Sequence, residues 1–254
     1  MPDYLLEVDA LSKSFAGVHA LSDYSLRLAP LTIQAVIGPN GAGKTTLFNL
    51  LTGFLRPSAG HIRLAGHEIT GQPAERITRM GMARTFQNIR LFGQLSVIEN
   101  VKAALQSQLS YHPIATLLSA PSFLRNEREL TRRADTLLAR FGLAARRDQP
   151  ARSLPYGDQR KLEIARAIAL QPKVLLLDEP NAGMNPAETS ELLTLIRRLR
   201  DELEITIVMV AHDIPLVMNL CDRIQVLNYG RLIAEGDPAA VRNNPEVIAA
   251  YLGQ

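Results

Sequence analysis

Along this chain, short unbroken apolar runs alternate with stretches in which apolar residues return every three or four positions. Ile33–Ile37 is a β-branched run that stops at a glycine, and Lys173–Leu177 and Ile205–Val210 are nearly continuous apolar runs. Runs of that length predict strands buried on both faces, as in a parallel sheet. Ile224 and Val226 alternate with Arg223 and Gln225, after which Asn228-Tyr229-Gly230 leads into Leu232-Ile233-Ala234, the pattern of a hairpin. Helix starts are marked as clearly. Asn185, Pro186 and Glu188 supply an N-cap, a first-position proline and an acid at the third position; Ser96 and Glu99 have capping-box spacing, and Asp237-Pro238 opens another short helix. Alternating strand and helix signals predict an α/β fold.

The middle of the chain breaks this alternation. Strand signals vanish from about Ser96 to Leu170, and Leu124, Leu130, Leu137, Leu138 and Phe141 fall at amphipathic-helix spacing. The expectation is a single domain over residues 4–254. Residues 4–90 and 171–254 form its core, and a helical subdomain at 91–170 is inserted between them. Between Pro121 and Arg152 stand eight arginines (125, 128, 132, 133, 140, 146, 147 and 152) against four acids (Glu127, Glu129, Asp135 and Asp148), so this stretch alone carries +4. A solvated, charged helix face is the favoured account; a nucleic-acid patch and a contact with a partner protein or lipid headgroups are the alternatives.

Composition narrows the class. At 46% apolar and 21% charged residues, with a net charge of +3, the 254 residues can build a sizeable core, and disorder is excluded. The charge balance demands no nucleic-acid partner. Cys221 is the one cysteine, so no internal disulfide is possible and a reducing compartment is expected. Asp3 stands in an opening with no leader pattern, and Ile205–Ala211 is far shorter than the roughly 20 residues a bilayer span needs. The chain is therefore expected to be soluble by itself, any membrane role coming through a partner.

The chemistry starts at Gly38-Pro39-Asn40-Gly41-Ala42-Gly43-Lys44-Thr45, which matches the phosphate-loop pattern G-x-x-x-x-G-K-[ST] between a predicted strand and a predicted helix from Thr45 to Leu51. Glycines let successive backbone N–H groups turn inward around an anion, and the helix N-terminus adds its positive end. Lys44 suits the β- and γ-phosphates, Thr45 suits Mg²⁺, and Thr46 follows in the same turn. Val174–Leu177 then delivers Asp178 and Glu179 at the end of an apolar strand, the Walker B arrangement: Asp178 for the metal through water, Glu179 to polarise an attacking water. A chance glycine turn and an ordinary strand-end acid are the bland accounts. Together the two motifs outweigh them and point to a nucleoside triphosphatase.

With these motifs in place, the sequence resembles the ATP-binding-cassette (ABC) ATPases over nearly its whole length. In Arg84-Thr85-Phe86-Gln87-Asn88, Gln87 resembles the family's Q-loop glutamine. Leu154, Pro155, Tyr156, Gly157 and Asp158 stand where its signature lies, Ala182-Gly183-Met184-Asn185 resembles its D-loop, and His212 its switch histidine. Phe15 resembles the aromatic that stacks on adenine, with plain core packing as its rival. The resemblance implies a P-loop core of mixed β-sheet flanked by helices, an N-terminal antiparallel β portion and the inserted helical subdomain. It also implies ATP and Mg²⁺, the metal attended by Thr45, Gln87 and Asp178. The implied partners are a second ATPase subunit, identical or not, paired head to tail so that each signature meets the other's ATP; integral membrane permease subunits; and, indirectly, a periplasmic solute-binding protein. No nucleic acid is implied, and the implied location is the cytoplasmic face of the inner membrane.

Three stretches resemble the branch serving branched-chain amino acid importers: Thr85–Phe92, the segment Ser107–Leu130 with Ala120–Leu124, and the end from Val241 through Pro245 and Tyr251 to Gly253. ATPases of urea or amide uptake and of lipopolysaccharide export are cousins. A non-transport ABC ATPase, which usually carries a long coiled-coil insertion or two cassettes, stays as an alternative behind the importer reading, as does a non-hydrolysing module, which would be expected to lack Glu179 or His212. Departures from the family pattern are Pro155 for serine, Asp158 for glutamine, Asn185 for the D-loop aspartate, and Ala211 before the histidine. Pro155 removes a hydroxyl from the signature. Asp158 would oppose a phosphate unless it points away or pairs with Arg160 or Lys161.

Overall fold

The computed structural model describes residues 4–107 and 120–252, with the main chain alone at 120–124 and 252. Asp3, most of the Ser107–Leu130 segment's first half, the side chain of Leu124 and Gly253 lie outside the described residues. The chain divides into two compact units. One comprises Met1–Arg84, Lys173–Pro180 and Leu193–Gln254, the other Thr85–Pro172 and Asn181–Leu192.

In the first unit, β1 (Leu6–Phe15), β2 (Val18–Leu28), β4 (Ala59–Leu64) and β5 (His67–Glu68) form an antiparallel sheet in the order β2-β1-β4-β5. A second sheet runs β10-β9-β3-β8-β7-β6, from β3 (Ile33–Ile37), β6 (Met82–Arg84), β7 (Val174–Asp178), β8 (Thr206–Val210), β9 (Arg223–Asn228) and β10 (Arg231–Gly236). Its strands are parallel except β10, which turns back on β9 through Tyr229 and Gly230, both at positive φ, as the hairpin pattern requires. Strands β3, β7 and β8 are buried at every position. That burial is why they read as unbroken apolar runs rather than alternating ones. The helix α1 (Lys44–Leu51) and the antiparallel sheet pack into one core: Leu6, Leu11 and Leu26 meet Leu47, Phe48 and Leu51 together with Val36, Leu176 and Val208. The buried Tyr24 hydroxyl of β2 donates to Gln225 of β9, tying the sheets together. Helices α2 (Ala74–Arg79), α7 (Ile214–Leu220), α8 (Pro238–Arg242) and α9 (Pro245–Leu252) complete this part; Asp213 and Asp237 cap α7 and α8 by accepting from Leu216 N and Ala240 N.

Strand register sets up the site. Asp178 pairs with Val210, and Val210 with Val36. The three strands therefore end level, and whatever follows each one emerges at the same carboxyl edge, where α/β sheets bind ligands.

The second unit is built on α3 (Val97–Gln106), α4 (Ala120–Arg140) and α5 (Tyr156–Ala169), with the start of α6 (Pro186–Leu203). The Asn181–Leu192 stretch thus groups with the helices rather than with the strand that precedes it. Ser96 and Glu99 make the reciprocal capping box. Leu130, Ala134 and Leu138 of α4, with Phe141 just past its end, are buried together with Val97 and Val101 of α3. The arginine-rich face is laced with ion pairs: Arg132 and Arg133 with Glu129, Arg146 with Asp158, and Arg147 with Asp135. This is the form of a solvated charged face. Among the described residues no helix is long and apolar enough to cross a membrane.

Candidate functional site

At the carboxyl edge of the first unit, β3 runs directly into the loop Gly38–Gly43. Gly38 has φ +151°, and a Cβ there would lie 2.1 Å from the Leu227 carbonyl oxygen; Gly43, at φ +103°, would press one 2.6 Å from the Ala20 carbonyl oxygen. Neither position can carry a side chain without moving backbone. Gly230 N donates to Ala42 O at 3.0 Å, so the hairpin turn holds the loop from behind. Gly38, Pro39 and Ala42 are buried, whereas Asn40, Gly41 and Thr45 are exposed and Thr46 is half-buried. Gly43 is the N-cap of α1 and has no side chain with which to cap it. The first-turn amides of a helix have no partner within the helix and so face an incoming anion. Lys44 is buried, and its Nζ donates to Gly38 O at 2.6 Å and Pro39 O at 2.7 Å. Burial lowers the ammonium's pKa, against the opposing pull of Glu179 and Asp178.

Asp178, at the end of β7, is buried and paired with Arg84 Nη2 at 2.7 Å, both side chains being nearly inaccessible. Arg84 also donates to Asn49 Oδ1 of α1 at 2.7 Å and lies over the Phe48 ring. It therefore links the strand-end carboxylate to the helix that the phosphate loop opens. The sequence reading missed Arg84; its signal was a lone guanidinium at the end of a buried apolar strand. Glu179, next along the chain, has φ +48°, a strained conformation for a non-glycine residue. Its main-chain N–H donates to Val210 O at 2.9 Å, which fixes the turn. His212 Nε2 lies 2.6 Å from Glu179 Oε1, the ring N–H donating to the carboxylate. Phe15, at the end of β1, is 43% exposed, which is not a core position, and Lys13 Nζ sits 5.0 Å from its ring centre.

Among the described residues no cluster of three or more His, Cys, Asp or Glu side chains could cage a metal. The oxygen donors expected for a metal at this edge, the Thr45 hydroxyl and the Asp178 carboxylate, are few. That sparse oxygen set fits Mg²⁺, which keeps water and draws its other ligands from phosphates.

The second unit carries the remaining predicted residues. Gln87 is exposed in the segment after β6, and its carbonyl accepts from Arg160. Leu154 is buried, Pro155 is the N-cap of α5, Tyr156 is exposed and Gly157 is buried, with Glu188 Oε1 2.8 Å from where a Cβ would stand. Asp158 pairs with Arg146 at 3.2 Å and Lys161 at 3.9 Å. Of the two partners expected from sequence, Arg160 is not used: it turns to Glu163 at 3.0 Å. Asn185 and Glu188 cap the start of α6 reciprocally, at 2.9 and 3.0 Å. The Tyr156 ring lies 3.1 Å from the position a Cβ would take at Gly183, so the turn at Gly183 rests on the tyrosine that opens α5.

A family model described as "ABC transporter" matches residues 21–182, and a second, "Branched-chain amino acid ATP-binding cassette transporter", matches residues 231–254. The chain is 48% identical over 254 residues, the whole of both proteins, to the high-affinity branched-chain amino acid transport ATP-binding protein LivG of Escherichia coli. It is 45% identical to BraF of Pseudomonas aeruginosa, named for the same transport, over 98% of each chain. Among solved structures, the ADP conformation of MJ1267, an ATP-binding cassette of an ABC transporter, matches with a TM-score of 0.86 at 28% identity, over 98% of this chain and 99% of that one.

Proposed function

Since the chain belongs to the ABC transporter ATP-binding family, we propose that it is the ATP-hydrolysing subunit that energises a membrane importer of branched-chain amino acids. The observation that carries this reading is the meeting, at one sheet edge, of the Gly38–Thr45 loop, the buried Asp178 and the Glu179–His212 pair.

The mechanism follows from the residues. The loop amides and the α1 N-terminus grip the phosphates, and Lys44 exchanges the Gly38 and Pro39 carbonyls for the β- and γ-phosphate oxygens. Thr45 and Asp178 would hold Mg²⁺, which when bound supplies charge neutralisation for the phosphates. Glu179 orients and takes the proton from the attacking water, while His212 keeps its carboxylate aimed. Phe15 offers its open face to the adenine. Leu154–Asp158 of one subunit serve the ATP of a second subunit, with Gly157 and the α5 N-terminus toward its γ-phosphate, and Asn185 lies in the D-loop between them. The chain sits on the cytoplasmic face of the membrane against integral permease subunits, which in turn receive solute from a periplasmic solute-binding protein on the other side.

The test is purification of the assembled complex from membranes, followed by ATPase assay. Leucine, isoleucine or valine with the co-purified binding protein should stimulate turnover several-fold. Stimulation by lipopolysaccharide instead, or by none of these amino acids, would overturn the substrate assignment.

A further inference from the structure

Three charged residues at three-residue spacing, Arg160, Glu163 and Arg166, lie on one face of α5. The first two are almost wholly buried and form a direct pair. Their bonds run chiefly to main chain. Arg160 Nη1 donates to Phe86 O at 2.8 Å, and its Nη2 donates to Gln87 O and, at 3.0 Å, to the Tyr156 hydroxyl. Glu163 Oε1 accepts from Phe86 N at 3.2 Å and from Arg90 N at 3.4 Å. Arg166 donates to Arg90 O and stacks on the Phe92 ring. Two side chains, one donating and one accepting, thus hold both faces of a loop that no strand ladder supports. A buried ion pair is seldom retained for stability alone, because apolar residues of like volume do as well or better. Apolar residues would leave these loop amides and carbonyls without the bonds they make here. Charge-assisted bonds are the stronger kind, and the guanidinium fork matches two successive carbonyls in a way an ammonium cannot.

We propose that Arg160 and Glu163 are positioning residues that clamp the loop carrying Gln87 to the helix opened by the signature, so that a displacement of this loop reaches Tyr156 and Gly157 as one rigid movement. The proposal rests on the functional reading above for what the loop and the signature do. It assigns the transmission between them to a specific buried pair.

The test uses the full chain and the assembled transporter. Replacing the pair together, Arg160→Met with Glu163→Met, removes both charges and keeps the volume. The expected result is amide hydrogen exchange at Phe86 and Arg90 at least tenfold faster, with MgATP affinity within twofold of the parent. In the transporter, solute stimulation of ATPase should fall at least fivefold. Arg160→Lys, which keeps the charge and loses the fork, serves where the double variant does not fold, and should show the same changes in smaller degree. Parent-like exchange at both amides, or undiminished solute stimulation, overturns the proposal. A parent chain that binds no MgATP would instead sink the ATPase reading and leave the exchange comparison to decide the clamp.

Discussion

At the scale of single residues, a few side chains decide the outcome because each is held by more than one partner. Arg84 joins Asp178 to Asn49 from a buried position. Breaking a buried ion pair costs about 3–5 kcal/mol. Arg84→Met is therefore expected to lower unfolding stability by about that amount, whereas Arg84→Lys, which cannot span both partners, should lose less; urea titration decides, and an Arg84→Met variant as stable as the parent would show the link to be slack. Chemistry should separate from binding at the neighbouring pair. Glu179→Gln should bind MgATP and accumulate a closed dimer without turnover, and His212→Ala, which removes the 2.6 Å contact to the Glu179 carboxylate, should lose turnover far more than affinity; parent-rate hydrolysis by Glu179→Gln would remove it from the role of base. Pro155 bears on the signature. Its extended backbone suits an N-cap serine, whose side chain would accept from the first turn of α5. Pro155→Ser should raise the ATPase rate of the assembled complex, and an unchanged rate would mean that the departure from the family pattern costs nothing.

At the scale of elements, capping chemistry and apolar runs were readable because their causes are local. Ser96 and Glu99 form the expected box, with Ser96 N donating to Glu99 Oε2 at 2.7 Å and Glu99 N to Ser96 Oγ at 3.3 Å. Ser96→Ala should cost about 1 kcal/mol, seen as a lower denaturation midpoint with an unchanged m-value; no shift would mean that Val97 N and Ile98 N, held by the Gln149 and Arg147 carbonyls, already fix the start of α3. The strands at Ile33, Val174 and Thr206 were legible for the same local reason, since burial on both faces leaves no polar alternation. What was not legible depends on distant partners. Nothing near Arg84 in sequence points to Asn49, 35 positions away, or to Asp178, 94 away. Asp158 finds Arg146 across a loop, while the nearer Arg160 is drawn to Glu163 and the carbonyls of residues 86 and 87. Sequence spacing names the charges available; only the fold decides which of them meet.

At the scale of the whole chain, the buried Cys221 turns the link between folding and nucleotide into something measurable. The thiol is packed 3.5 Å from Met209 Sδ in the same unit as the phosphate loop, and burial pushes its pKa up to about 12, with Asp222 adding to the effect. At pH 8 a thiol with that pKa is ionised at roughly one part in ten thousand, about a thousandfold below one with the ordinary value, and only the thiolate attacks. Alkylation of the folded chain must therefore run mainly through opening. The sign of the pH effect follows: the unfolded thiol ionises first, so this group's contribution to stability is complete below the unfolded pKa and falls by about 1.4 kcal/mol per pH unit between that value and about 12. Comparison with Cys221→Ala isolates the thiol's contribution, because the other alkaline titrations are common to both chains. Ligand binding supplies the second lever. MgATP at a hundred times its Kd should add about 2.7 kcal/mol to global stability and slow iodoacetamide labelling about a hundredfold. Lys44→Ala should abolish that protection. Labelling that ignores MgATP in the parent, where binding is shown independently, would mean that Cys221 is reached by local fraying of the end of α7 and that the nucleotide grip does not extend across the sheet.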